Sequence, residues 1–152
     1  MPVTWTGRSA NNYLVALATD ERAIRTLSPE IEQVGRLPAD VIIVTAPADA
    51  ASLCDFVSRV FAPRLGIDED PVTGSAHTVL APYWADRLGS AALVGVQASA
   101  RSGIVGVELS GERVIITGRA VTVLDGTLRP AAQPERGLAG TTHAHRRTRF
   151  SP

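Results

Sequence analysis

The 152-residue chain contains no lysine; all 15 of its basic residues are arginine. A Schiff-base lysine and a P-loop lysine are therefore excluded. A single cysteine, Cys54, rules out an internal disulfide and any multi-thiolate metal site, and fits a reducing compartment. The 15 acids balance the 15 bases, so there is no surplus of positive charge to coat a nucleic acid or an acidic membrane surface. No apolar run approaches the ~20 residues of a membrane-spanning helix. Met1–Arg8 lacks the charged start and apolar centre of a signal peptide. The expectation is a cytoplasmic protein with no nucleic-acid or membrane partner. With 45% hydrophobic and 20% charged residues, the composition suits one globular domain with a real core.

Patterning along the chain then places the elements. Asn12–Ala18 is apolar, with Tyr13 and Val15 favouring a strand. Asp20 is positioned to cap a short helix through Leu27. Ser28-Pro29-Glu30 reads as a second helix start, with Ser28 as the cap and Gly35 as the stop. Val41–Thr45 is a β-branched run suited to a strand buried on both faces. Leu53–Phe61 partly alternates and reads as a strand with one wet side, with Cys54 as a small core residue. A loop rich in Pro, Gly and acid is expected over 62–71. Gly74–Leu88 has helical character, closed by Gly89 and interrupted by Pro82. Four strands follow, at 91–98, 104–109, 113–117 and 120–124, joined by tight Gly turns. That order is α+β with antiparallel meanders, not a doubly wound sheet.

The stretch with chemical content is Gly66-Ile67-Asp68-Glu69-Asp70-Pro71-Val72-Thr73-Gly74-Ser75-Ala76-His77. Three acids precede a proline, and Thr-Gly-Ser then opens a helix. Thr73 suits the N-cap, and Gly74 allows close backbone approach. The free N–H groups of Gly74, Ser75 and Ala76, with the Ser75 hydroxyl, form a site for a carboxylate. Asp70, held by the stiff Asp-Pro unit, lies beside it and suits proton transfer. On spacing alone, a plain turn followed by a plain helix cap is the simpler reading.

GIDEDPVTGSAH, followed by LAPYWADRLG, QASARSG and GRAVTVLDGTL, resembles the C-terminal half of the phenazine-biosynthesis PhzF-like isomerase/epimerase family. The likeness runs from about Asn11 to Leu128. It implies one half of a diaminopimelate-epimerase-like fold, a curled, mostly antiparallel sheet around a central helix, with residues 1–130 as the half-domain. It also implies proton abstraction and return on a small carboxylic acid, with no cofactor and no metal. One known member isomerises a dihydro-hydroxyanthranilate. Carried over by motif, Asp70 matches the family's acidic residue that assists proton transfer, and Gly74 and Ser75 match its substrate-contacting cap. Thr73 is carried over as a neighbour on the same loop. Arg101-Ser102-Gly103 stands where the family commonly has Arg-Gly-Gly. The family's N-terminal half, which holds its general-base glutamate, has no counterpart in this sequence.

The resemblance therefore implies an isomerase that needs a second half-domain, either a separate N-terminal half or a second copy in a homodimer. The alternative is a degenerate half-domain that binds a small carboxylate or a protein partner without chemistry. Other residues read more plainly. His77 is expected to pack against the sheet as a neutral imidazole, and Tyr83 and Trp84 to pack beside it. Arg101 could bind a carboxylate or serve as a turn contact. Residues 131–152 are expected to form a disordered tail, with His143, His145 and its arginines solvated.

Overall fold

The computed structural model describes residues 2–128. Its elements are built around one mixed sheet. Strand β1 (Val3–Arg8) turns at Asn12, whose φ of 61° asparagine tolerates, into β2 (Tyr13–Ala18). Two five-residue helices follow, α1 (Glu21–Arg25) and α2 (Ile31–Gly35). Next come β3 (Val41–Pro47), β4 (Phe56–Ala62), a 3-10 turn at Pro63–Leu65 and β5 (Ile67–Asp70). The long helix α3 (Gly74–Leu88) leads into β6 (Ala92–Gln97), β7 (Gly103–Ser110) and β8 (Arg113–Thr117).

The strand order is β1-β2-β3-β4-β6-β7-β8, with β5 attached to β4. Most pairs are antiparallel; β2–β3 and β4–β6 are parallel. Strand β4 divides one edge between two neighbours. Its first half, Phe56–Ser58, pairs with β6, and Val60 and Ala62 pair with β5. Both of those strands therefore end near the middle of β4.

Side chains alternate across the sheet as the period of a strand requires. On one face Val41, Ile43, Phe56, Val60, Leu93, Val105 and Val107 pack against Ala76, Leu80, Ala81, Trp84 and Ala85 of α3. On the other, Ile42, Val44, Ala46, Val57 and Phe61 pack against Ile24 and, more loosely, Ile31 and Val34 of α1 and α2. The β-branched run of β3 is buried on both faces as expected. Phe56 stacks on Trp84 with centroids 5.7 Å apart, and the Trp84 indole donates to Thr45 Oγ1 at 3.0 Å. Helix α3 runs continuously through Pro82 and stops at Gly89 in the left-handed region, φ 65°.

Several local expectations are corrected. The strand expected over 53–61 begins only at Phe56, because residues 51–55 bend and leave Leu53 fully exposed. Cys54 is half-buried beside the α1 face, and burial pushes its thiol up. Ser28 does not cap α2; the helix starts at Ile31 with Glu30 in the cap position. The loop expected over 62–71 contains β5, recruited by the free edge of β4. Residues 120–124 form no strand, since β-branched composition without a ladder partner does not make one. By contrast, Asp20 caps α1 as expected, accepting from the Ala23 N–H at 2.7 Å.

The chain divides into a compact unit ending at Ala120 and a second unit from Val121, in which residues 121–128 form neither helix nor strand. The tail expected at 131–152 lies outside the described residues.

The close packing of Gly95 against Phe56 generates a test. A Cβ at Gly95 would lie 2.5 Å from the Phe56 ring, which is fully buried and held by Trp84. Gly95→Ala is expected to lower the unfolding free energy by about 1–3 kcal/mol, read from the urea midpoint at unchanged m-value.

Candidate active site

The loop Asp70–Thr73 leaves the end of β5 and enters α3, and the end of β6 lies against it. Strand alternation first separates the three acids of this region. Asp70 is opposite Val60 and so shares the α3 face, whereas Glu69 points to the α1 side. There Glu69 forms a two-pronged pair with Arg59, at 2.7 and 2.9 Å, and Arg59 also donates to the Ile24 and Leu27 carbonyls at the end of α1. Glu69 is thus structural. Asp68 is exposed, which leaves half-buried Asp70 at the loop.

Asp70 Oδ2 accepts from the Thr73 hydroxyl at 2.6 Å. Thr73 occupies the N-cap position of α3, but its side chain makes no capping bond to the helix. Thr73 thus stands at the N-cap as expected, but its hydroxyl serves Asp70 and Gln97 and not the helix N–H groups. Gly74 and Ser75, the first two residues of α3, are exposed. A Cβ at Gly74 would meet nothing within 4 Å, so packing does not dictate glycine there. The Ser75 hydroxyl accepts from the Tyr13 phenol at 3.2 Å. Tyr13 was legible in the sequence only as a strand residue; its polar tip at the start of β2 was the available signal.

The loop is held from the β6 side. The fully buried Gln97 amide accepts from the Thr73 N–H at 2.8 Å and donates to the Asp70 carbonyl at 2.6 Å and to Thr73 Oγ1 at 3.1 Å. Ser99 donates to the Pro71 carbonyl at 2.8 Å and accepts from the Ser102 N–H at 3.0 Å. Ser102 itself takes the left-handed conformation, φ 55°, so this turn does not require glycine at that position. Gly103 is required for space instead: a Cβ there would lie 2.4 Å from a Val72 methyl. Arg101 is exposed.

His77, in the first turn of α3, is fully buried near Phe56, with centroids 6.0 Å apart. Its Nδ1–H donates to the Thr73 carbonyl at 2.8 Å. Nε2 is buried without a partner. Burial lowers its proton affinity below the usual imidazole value, against a smaller opposing effect of the Thr73 bond. The expected sheet-packed histidine is observed, and burial favours its neutral form. Tyr83 and Trp84 also pack as expected. Among the described residues no group of three or more His, Cys, Asp or Glu side chains could hold a metal ion, and no helix is long and apolar enough to cross a membrane. His143 and His145 lie outside the described residues. A shallow depression of about 470 Å³ beside α1, bounded by Asp20, Arg22, Thr26 and Ser28, shares no residue with the Asp70 loop.

The family model of phenazine biosynthesis-like proteins, PhzC-PhzF, matches residues 1–126. The chain belongs to this family. An "uncharacterized isomerase" of Pseudomonas aeruginosa is 47% identical over 118 residues, covering 78% of this chain and 44% of that protein. The mouse "phenazine biosynthesis-like domain-containing protein 2" is 45% identical over 102 residues, covering 66% of this chain and 35% of that protein. Among solved structures, a putative PhzC/PhzF protein of Clostridium difficile matches with a TM-score of 0.74 at 37% identity, over 85% of this chain and 48% of that one. A PhzF family protein of Enterococcus faecalis matches with a TM-score of 0.70, over 76% of this chain and 43% of that one. The fold is thus the diaminopimelate-epimerase-like fold of PhzF proteins, and the chain spans about half the length of the relatives it matches.

Two tests follow from the geometry. Gly74→Ala is expected to leave stability within about 0.5 kcal/mol of the parent, read from the urea midpoint. His77 makes the fold acid-sensitive. Its native proton affinity lies below the unfolded value, so the unfolded state takes up the proton first as pH falls. Stability contributed by this residue is full above about pH 6.5 and declines below it by at most about 1.4 kcal/mol per pH unit, until the depressed native value is reached. Urea titrations between pH 7.5 and 5 check this, and His77→Gln should remove that part of the slope.

Proposed function

We propose that this chain supplies one wall of an isomerase active site in which Asp70 moves a proton on a small carboxylic acid. The observation that carries the reading is the placement of the Asp70 carboxylate, fixed by the Thr73 hydroxyl at 2.6 Å, immediately before the exposed Gly74 and Ser75 of α3. A substrate carboxylate at the N-terminal turn would meet the backbone N–H groups and the Ser75 hydroxyl, helped by the helix dipole. Thr73 lies between that anion and Asp70, its hydroxyl turned to the acid. Asp70 then acts on the adjacent carbon as a general acid or base. Proton abstraction and return in this scheme draw on side chains alone, without cofactor or metal.

An open face is what a single wall of a two-walled cleft presents. The matched segment covers 44% and 45% of two Pseudomonas aeruginosa relatives and 48% of the Clostridium difficile structure, which leaves room for a second half in each. In this reading the opposite acid–base group comes from an N-terminal half-domain or from a second copy of the chain. The same length difference supports a second reading, a half-domain that binds a small carboxylate or a protein partner without chemistry.

Solvent deuterium exchange into hydroxyanthranilate-like and aliphatic carboxylic acids separates the two. The full chain is measured alone and with the N-terminal half of a family relative. Exchange that falls by about 100-fold or more in Asp70→Asn is expected. Carboxylate binding with no exchange in either mixture supports the non-catalytic half-domain, and exchange that survives Asp70→Asn removes the role of this residue.

A further inference from the structure

Gln97 makes no contact with the open mouth of the site, yet it touches each end of the loop that presents Asp70. Its side chain is fully buried at the last position of β6, level with Ser58 of β4. The three hydrogen bonds leave no freedom in how the amide is oriented. Only the oxygen can accept from the Thr73 N–H, so the nitrogen must face the Asp70 carbonyl and Thr73 Oγ1. A hydroxyl that accepts from an N–H is left with its single proton free to donate, and that proton goes to Asp70 Oδ2 at 2.6 Å. The chain Gln97 Nε2–H, Thr73 Oγ1–H, Asp70 Oδ2 therefore has one direction throughout.

We infer that Gln97 is a positioning residue for the proton-transfer step: acting through the Thr73 hydroxyl, it holds the Asp70 carboxylate in a single rotamer facing the α3 end. The inference rests on the isomerase reading of Asp70 given above. It extends that reading to a residue that neither binds substrate nor exchanges a proton. The two side chains divide the labour. Gln97 ties down backbone at positions 70 and 73, and Thr73 converts that fixed backbone into a fixed carboxylate. Ser99 and the Gly103–Val72 contact brace the intervening Pro71 and Val72 but reach no Asp70 oxygen.

Asp70 is readable without turnover. Three-bond couplings from its backbone nitrogen and carbonyl to Cγ report whether χ1 occupies one rotamer or averages over several. In the full chain one rotamer is expected. Thr73→Val, which keeps the shape but removes the hydroxyl, should give averaged couplings, and Thr73→Ser should restore the single rotamer. Gln97→Met should also give averaging; because it strands buried partners, the Thr73 pair keeps the test open should that variant fail to fold. Where exchange is measurable, kcat should fall by about 100-fold in Thr73→Val and Gln97→Met with KM unchanged, and the double variant should lose no more than the worse single one.

Couplings that stay those of one rotamer in Thr73→Val overturn the inference. So do averaged couplings in Gln97→Met that become still more averaged when Thr73→Val is added, because Gln97 would then act by another route. Absence of deuterium exchange in the parent chain both alone and with the N-terminal half of a relative overturns the isomerase reading only, since the coupling measurement needs no turnover.

Discussion

Strand β4 shares one edge between β5 and β6, and the candidate site depends on that division. A strand has a limited row of N–H and C=O groups on each side, so two neighbours on one side must meet end to end. The antiparallel β5 and the parallel β6 both terminate near the centre of β4, between Ser58 and Val60. The residue ending one, Gln97, is thereby placed against the loop that leaves the other. This division brings the Gln97 amide to 2.6 Å from the Asp70 carbonyl, 27 positions away in sequence.

Burial gives that contact its rigidity. A buried amide left without partners costs about 1–3 kcal/mol, and Gln97 satisfies its oxygen and both donor directions within the loop. The loop in turn cannot relax outward without exposing unpaired groups. Hydrophobic packing supplies the platform: Phe56 and Trp84 lock α3 to the sheet, and Gly95 provides the space for the Phe56 ring. His77 adds a second tie to the Thr73 carbonyl from within α3. Its unpaired Nε2 is tolerated because the neutral imidazole is the form that burial favours.

The opposite face has a separate set of constraints. Buried Glu21 accepts from the Asp49 N–H, Ser52 and Arg25, and the Asp49 bond leads in holding its carboxyl below the usual range. Arg59 links Glu69 to the end of α1. Two acids, Glu21 and Glu69, thus maintain the connections around α1. Asp70 alone is delivered to the loop at α3, and a strand period of two is sufficient to separate it from its neighbour.

Local sequence determined much of this protein. The length and stop of α3, the Asp20 cap, the doubly buried β3 and the β6–β7–β8 meander follow from side-chain period, capping chemistry and glycine placement, which act over a few residues. The motif around Asp70, Gly74 and Ser75 was also legible, as a segment with chemical content and a family resemblance. Tertiary structure decided the partners. Thr73 reads as a helix cap until Asp70 and Gln97 are both beside it, and Tyr13 reads as a strand residue until β2 brings its phenol to Ser75. Strand β5 exists because β4 has a free edge, whereas the β-branched residues at 120–124 form no strand. In each case a hydroxyl, an amide or a strand edge has several ways to satisfy its hydrogen bonds. Local sequence leaves those choices open, and only the folded arrangement of distant elements selects one.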